Sequence, residues 1–129
     1  MVLIDEINRM QAILQHGEIK EIPSNWKIFY EYDIDKDCIK GFCFLFEYKR
    51  LPYKPDYNTG KLAEIEVFTF PEYRHQNICT TLVQNAIEYA SEHKIDIIAD
   101  CVNDTSYFIT KRLNFTDTID KLTWFHGSK

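Results

Sequence analysis

The chain has 129 residues, a net charge of −5, 45% hydrophobic residues and 15% aromatic residues. This size and composition predict a single domain over residues 1–129 with enough apolar material for a core. No run of Lys or Arg forms a basic stripe, so we expect no nucleic-acid partner. The acidic balance is compatible with cationic or amine-bearing ligands and equally with plain solubility.

The cysteines Cys38, Cys43, Cys79 and Cys101 form no C-x-x-C pair, and the histidines form no H-x-x-x-H pair. We therefore expect no metal site. Neither a signal peptide nor a long apolar run is present in the sequence. This pattern predicts a cytoplasmic protein with reduced thiols and no membrane partner.

The first half of the chain predicts a helix and a hairpin. Apolar residues recur at helical spacing over residues 3–14, and Gly17 follows as a C-cap. Alternating patterns predict strands over 27–34 and 39–48, which pair as an antiparallel hairpin. The second strand is apolar on both faces, so we expect it in the interior of a sheet.

The second half alternates between strands and helices. The predicted elements are a strand at 62–70, a turn at 71–77, a helix at 78–93, a strand at 94–101, a helix at 105–113 and strands within 116–126. Residues 50–61 form a loop long enough to cover a site. Antiparallel strands followed by a β-α-β unit predict an α/β fold: a mixed, mostly antiparallel sheet with helices on both faces.

The strand-turn-helix segment from Leu62 to His93 suggests a place for an anion. A helix that begins directly after a strand leaves its first N–H groups unpaired and pointing outward. A phosphate or carboxylate could accept hydrogen bonds from these groups.

Two segments of the chain match motifs of one family. In Val67 to Cys79, the residues Arg74, Asn77 and Cys79 occupy the conserved positions of the pattern R/Q-x-x-G-x-G/A, and P-x-Y-R leads into it. Residues 103–115 follow the pattern N-x-x-A-x-x-hydrophobic-Y-x-x-x-G-F. Together these segments resemble the GNAT family of acyl-CoA-dependent N-acetyltransferases, and the element order agrees over about residues 27–126.

The resemblance implies acetyl-CoA as cosubstrate and no metal. The pantetheine arm would pair with backbone groups of the central strand beside a V-shaped opening, and the pyrophosphate would meet the N–H groups at the start of the helix. Arg74 would add positive charge. The implied cofactor-binding residues are Phe68, Thr69, Phe70, Arg74, His75, Gln76, Asn77, Ile78, Cys79, Thr80 and Asn103.

Candidate catalytic residues follow from the strand and from the second motif. Glu64 and Glu66 share one face of the strand, and either could act as a general base, directly or through water. They could also form a solvated edge, a salt bridge or a site for a cationic substrate. Thr110 stands where the family often has a tyrosine that protonates the departing thiolate. Tyr107, one helical turn earlier, could replace it or serve only in packing.

Several residues depart from the family pattern or have more than one interpretation. Asn77 and Asn114 stand at glycine positions, and asparagine tolerates a left-handed backbone. Cys79, at a helix N-terminus, could be a nucleophile only beside a base that the sequence does not identify. His75 is interpreted as a phosphate-side or surface residue. The family's first strand is missing here or reduced to residues 1–4.

The leading hypothesis is direct transfer of acetyl from acetyl-CoA to a small-molecule or peptide amine. An alternative, motivated by Asn77 and Thr110, is a catalytically weak or inactive GNAT-like module for CoA binding or protein interaction. A third hypothesis is an interaction domain without a ligand, which follows if Asn77 blocks the turn. Exposed aromatic residues could support a homodimer.

Overall fold

The computed structural model describes residues 1–48, 61–99, 109, 111–113, 115–117 and 122–124. Within these ranges the elements are α1 (Leu3–Ile13), β1 (Trp26–Asp33), β2 (Cys38–Glu47), β3 (Leu62–Thr69), a 3₁₀ turn (Pro71–Tyr73), α2 (Ile78–His93), β4 (Asp96–Ala99), β5 (Thr116–Asp117) and β6 (Leu122–Trp124).

The strands form one sheet in the order β1-β2-β3-β4-β6-β5. The neighbouring pairs are antiparallel except β3 and β4, which run parallel because α2 carries the chain back between them. The predicted mixed, mostly antiparallel sheet is therefore confirmed.

One face of the sheet packs against α2. The interior strand β2 buries side chains on both faces, with Phe42, Phe44 and Cys43 all 3% exposed or less. Phe29 is the cross-strand partner of Cys43, and its ring lies 5.9 Å from that of Tyr89 in α2. Cross-strand partners share a face, so α2 covers the Cys43 side.

The other face packs against α1. The ring of Phe70 lies 6.1 Å from that of Phe42, and the Arg9 guanidinium of α1 lies 3.5 Å above the Phe70 ring. Ile7 of α1 is fully buried. Helices on both faces are thus confirmed. Residues 1–25 contain α1 and no strand, in agreement with a missing first strand.

Some boundaries differ from the prediction. The strand predicted at 94–101 begins at Asp96, because Lys94 takes the left-handed conformation (φ 57°) that ends α2. The end of the helix predicted at 105–113 is present, since the Leu113 N–H donates to the Ile109 carbonyl over 3.2 Å. The rest of that helix and nearly all of the loop predicted at 50–61 lie outside the described residues.

Candidate active site

The described pairing between β3 and β4 extends as far as the description of β4. Their parallel register runs from Leu62↔Asp96 to Ile65↔Ala99. The residues that follow Ala99 lie outside the described ranges up to residue 109. The V-shaped opening beside residues 66–69 therefore stays a prediction.

The register decides which backbone groups of β3 face β2. The Phe70 N–H donates to the Lys40 carbonyl (2.9 Å), and the Tyr48 N–H donates to the Leu62 carbonyl (2.8 Å). Backbone groups alternate sides along a strand, so those of Phe68 and Phe70 point toward β2. Those of Val67 and Thr69 point to the other side, on which β4 pairs with the first part of β3.

This direction distinguishes the predicted pantetheine contacts from one another. Among Phe68, Thr69 and Phe70, Thr69 has its backbone on the side away from β2, and the Phe70 N–H is already bonded. The backbone of Val67, which was not among the predicted contacts, lies on the same side as that of Thr69. The period of two would have separated the two sets, but only the cross-strand register shows which set faces outward.

Arg74 contacts the same edge. Its Nε donates to the Thr69 carbonyl over 3.1 Å, and the side chain is exposed. No carboxylate forms an ion pair with Arg74 among the described residues. The guanidinium therefore lies between the end of β3 and the start of α2, where the sequence predicted positive charge.

The N-terminus of α2 has the features of an anion site. Its N-cap Asn77 is left-handed (φ 61°, ψ 18°) and makes no side-chain capping bond, and the first turn contains no acidic residue. The first intrahelical bond runs from the Thr81 N–H to the Asn77 carbonyl (3.1 Å), so the helix begins directly after the turn and its positive end faces the turn. Asn77 thus adopts the conformation for which the family uses glycine.

The segment from Phe70 to Asn77, here named the β3–α2 turn, contains a second left-handed residue. His75 has φ 65°, which the sequence analysis missed because histidine is only modestly enriched there. Within the described part of the chain, the N–H groups of His75, Gln76 and Asn77 make no backbone hydrogen bond. They are therefore able to donate to a ligand together with the first turn of α2.

At Gly41, β2 closely approaches β3 and the start of α2. A Cβ at Gly41 would lie 2.8 Å from the Phe68 carbonyl oxygen and 3.1 Å from Cγ2 of Ile78. Only glycine leaves room for backbone at that separation. Gly41 consequently sets how closely the start of α2 rests on the sheet.

The two candidate carboxylates lie on the face that α1 covers. Glu64 pairs with Phe46 and Glu66 with Phe44 across the β2–β3 ladder, so the predicted shared face is confirmed. Glu64 is half-buried and accepts a hydrogen bond from the Tyr48 hydroxyl (3.1 Å). Glu66 is exposed and immediately follows the last residue whose pairing with β4 is described.

The cysteines near the turn differ in environment. Cys43 is fully buried, and its burial, with a smaller contribution from Cys79, raises the pKa of the Cys43 thiol far above its ordinary value. Cys43 is therefore a neutral core residue. Cys79 is half-buried in the first turn of α2. Its nucleophilic role stays a prediction.

The sequence comparison decides the family. The model of the GNAT acetyltransferase family matches residues 9–113. The chain belongs to this family. No curated protein sequence matches the chain.

Solved structures with the same fold include members with different acceptors. A predicted acetyltransferase from Clostridium acetobutylicum, solved with acetyl-CoA, is 17% identical with TM-score 0.66 and covers 96% of this chain and 86% of that one. NAA60 of Arabidopsis thaliana in complex with acetyl-CoA is 13% identical with TM-score 0.66, covering 96% and 95%. An aminoglycoside acetyltransferase from an uncultured soil metagenomic sample, in complex with sisomicin, is 16% identical with TM-score 0.62, covering 98% and 88%.

Three of the predicted site residues, Asn103, Tyr107 and Thr110, are outside the described residues. Over the ranges described, no group of His, Cys, Asp and Glu could hold a metal ion. A cavity of about 560 Å³, between Trp26 and Tyr89, lies at the opposite end of the sheet and contains no predicted site residue.

One further finding concerns helix length. Among the described residues, no helix combines the length and the apolar character that crossing a membrane requires.

Proposed function

We propose that this GNAT family member transfers an acetyl group from acetyl-CoA directly to an amine bound in the same complex. The observation that carries the proposal is the N-terminus of α2, where Asn77 makes no side-chain capping bond, the first turn has no acidic residue and Arg74 contacts the end of β3. Such a helix end suits a pyrophosphate. The proposal places the pantetheine amides along the edge of β3 that faces away from β2.

The chain offers a continuous set of cofactor contacts. The backbone of Val67 and Thr69 would pair with the pantetheine arm along this edge of β3. The N–H groups from His75 to Thr80 would bind the pyrophosphate, and Arg74 would add charge. Pantetheine would compete with the Arg74 Nε for the Thr69 carbonyl. Asn103 stays a predicted cofactor-binding residue outside the described ranges.

Glu66 is the proposed general base. The acceptor arrives as an ammonium ion and must lose a proton before its lone pair can attack the thioester carbonyl. Glu66 is exposed and lies nearer than Glu64 to the end of β3 that leads into the β3–α2 turn, whereas Glu64 is half-buried. Collapse of the tetrahedral intermediate breaks the carbon–sulfur bond and releases CoA thiolate. Thr110 or Tyr107 would return the proton to that thiolate.

The acceptor is proposed to be a small-molecule or peptide amine. The exposed Glu66 carboxylate favours a cationic group beside it. We place the reaction in the cytoplasm, a compartment compatible with the free thiols of Cys38, Cys43 and Cys79. A homodimer stays a prediction, for which the exposed Tyr30 and Tyr32 of β1 provide a surface.

Titration calorimetry with acetyl-CoA and with CoA tests the cofactor site. We expect both ligands to bind, with the shared pyrophosphate supplying much of the affinity. Absence of binding at millimolar ligand would exclude the proposed function and the non-catalytic CoA-binding alternative together. The conformation of Asn77 argues against a blocked turn.

A thiol-release assay over a panel of amines tests the chemistry. Glu66→Gln should lower kcat by about 100-fold or more and leave acetyl-CoA affinity unchanged, because removing a general base costs about this much. Glu64→Gln is the matched control on the same face, with an expected effect below about fivefold. Equal losses in the two variants would assign the base elsewhere.

A further inference from the structure

The exposed part of the β3–α2 turn lies between two buried residues, which are here named its anchors. Tyr73 and Ile78 are each 7% exposed, and the residues between them are exposed. His75 and Asn77 are both left-handed, and neither they nor Gln76 donate a backbone hydrogen bond within the described ranges. The position of these N–H groups therefore depends on the two anchors.

The Tyr73 anchor is a polar contact across the fold. Its hydroxyl donates to Oδ2 of Asp33 over 2.6 Å, and the Cys38 thiol lies 3.4 Å from the same hydroxyl. Oδ1 of Asp33 accepts the N–H groups of Asp35 and Lys36 at 3.0 and 3.2 Å. The Asp33 carboxylate is thereby held in the β1–β2 hairpin before it receives Tyr73.

The charge states favour this contact at neutral pH. The hydrogen bond from Tyr73 is the largest cause that lowers the pKa of the Asp33 carboxyl. The same bond raises the pKa of the Tyr73 phenol above its ordinary value. A protonated phenol and an ionised carboxylate form a charge-assisted hydrogen bond, which is shorter and stronger than a neutral one.

We propose that Tyr73 is a positioning residue for acetyl-CoA: its bond to Asp33 holds the β3–α2 turn where the N–H groups from His75 onward can receive the pyrophosphate. The proposal rests on the proposed function. Tyr73 itself touches no reacting atom. The two left-handed residues add a reason, because a released turn would relax toward less strained backbone. Asp33, a residue of the β1–β2 hairpin that is distant in sequence, thus contributes to cofactor affinity.

Calorimetry with acetyl-CoA on Tyr73→Phe tests the proposal. The ring stays, the hydroxyl is lost, and we expect affinity to fall about five- to tenfold, the usual effect of one hydrogen bond. Tyr32→Phe is the matched control. The Tyr32 hydroxyl also bonds a carboxylate of this hairpin, that of Asp37, but it does not reach the turn. We expect unchanged affinity in the control.

Two variants of Asp33, the residue that accepts the hydrogen bond from Tyr73, keep the test decisive if Tyr73→Phe folds poorly. Asp33→Asn retains Oδ1 for the hairpin N–H groups and offers Nδ2 to the Tyr73 oxygen, so affinity should stay within about twofold. Asp33→Ser can still bond the hairpin N–H groups but is too short for Tyr73, so it should weaken binding like Tyr73→Phe.

The outcomes separate this inference from the proposed function. Wild-type protein that fails to bind acetyl-CoA overturns both. Wild-type protein that binds, with Tyr73→Phe and Asp33→Ser binding equally well, overturns only the positioning role. Equal weakening in Tyr32→Phe would also overturn it, because general loosening of the hairpin would then explain the effect.

Discussion

The N-termini of the two helices are built in different ways. The first turn of α1 contains Asp5 and Glu6, whereas the first turn of α2 contains no acidic residue. Neither N-cap, Val2 or Asn77, makes a side-chain capping bond. In α1 the acidic residues complement the positive end of the helix dipole from within the chain. In α2 no acidic residue of the first turn complements the positive end of the helix dipole.

Glu6, in the first turn of α1, also connects that helix to the sheet. Its carboxylate accepts the Ile39 N–H (2.7 Å) and the Arg9 Nε (2.8 Å), and Arg9 donates to the Ile39 carbonyl (3.0 Å). The start of α1 is therefore fastened to the start of β2. The α1 end thus stabilises the fold, and the α2 end is the one at which we propose that the pyrophosphate binds.

The largest effect is expected where α2 meets the sheet. Gly41→Val places side-chain atoms against the Phe68 carbonyl, which is backbone and cannot rotate away. We expect unfolding to become easier by about 3 kcal/mol, as in strong overpacking. Gly17→Val is the control, since a Cβ there meets nothing within 4 Å. Urea denaturation of the two variants measures the difference, and similar midpoints would contradict the close approach.

Removing Glu6, which connects α1 to β2, should lower the free energy of unfolding somewhat less. Glu6→Ala leaves the buried Ile39 N–H without its acceptor and deprives Arg9 of a partner, with an expected loss of about 2 kcal/mol. Asp5→Ala, an exposed neighbour in the same turn, should cost at most about 0.5 kcal/mol through the helix dipole. Equal losses would mean that both residues act only on the dipole.

An acidic residue in the first turn of α2, as in α1, should raise stability and weaken acetyl-CoA binding. Thr80→Glu adds an acid to the first turn, which should stabilise the helix by about 0.3–1 kcal/mol. The same charge should weaken acetyl-CoA binding at least about tenfold by repelling the phosphates. Thr80→Gln keeps the shape without the charge and should change neither quantity much. Thermal unfolding and calorimetry measure both, and unchanged affinity in Thr80→Glu would place the phosphates elsewhere.

The smallest effect concerns backbone strain in the β3–α2 turn. His75→Gly removes a side chain from a left-handed residue and should stabilise the protein by up to about 1 kcal/mol. Gln76→Gly, at the next residue with ordinary φ, should destabilise it because glycine gains more freedom on unfolding. A gain in both variants, or in neither, would contradict the left-handed assignment.

The local elements and the place of the site could be predicted because their signals are short-range. Periods of two and of about 3.6 gave the strands and helices, with differences of a few residues at their ends. The turn before Ile78 followed from Pro71 and the polar residues after it. The left-handed His75 could not be predicted, because nothing in its immediate neighbours demands that conformation.

The sequence by itself determined the order of elements, the mixed sheet and the helix that begins directly after a strand and a polar turn. Tertiary structure decided which backbone groups of β3 face β2, because the register directs those of Phe68 and Phe70 toward β2 and those of Val67 and Thr69 to the other side. It also decided that Arg9 of α1 and Asp33 of β1 hold the β3–α2 turn. Such contacts join residues far apart in the chain, where local patterns carry no information about geometry.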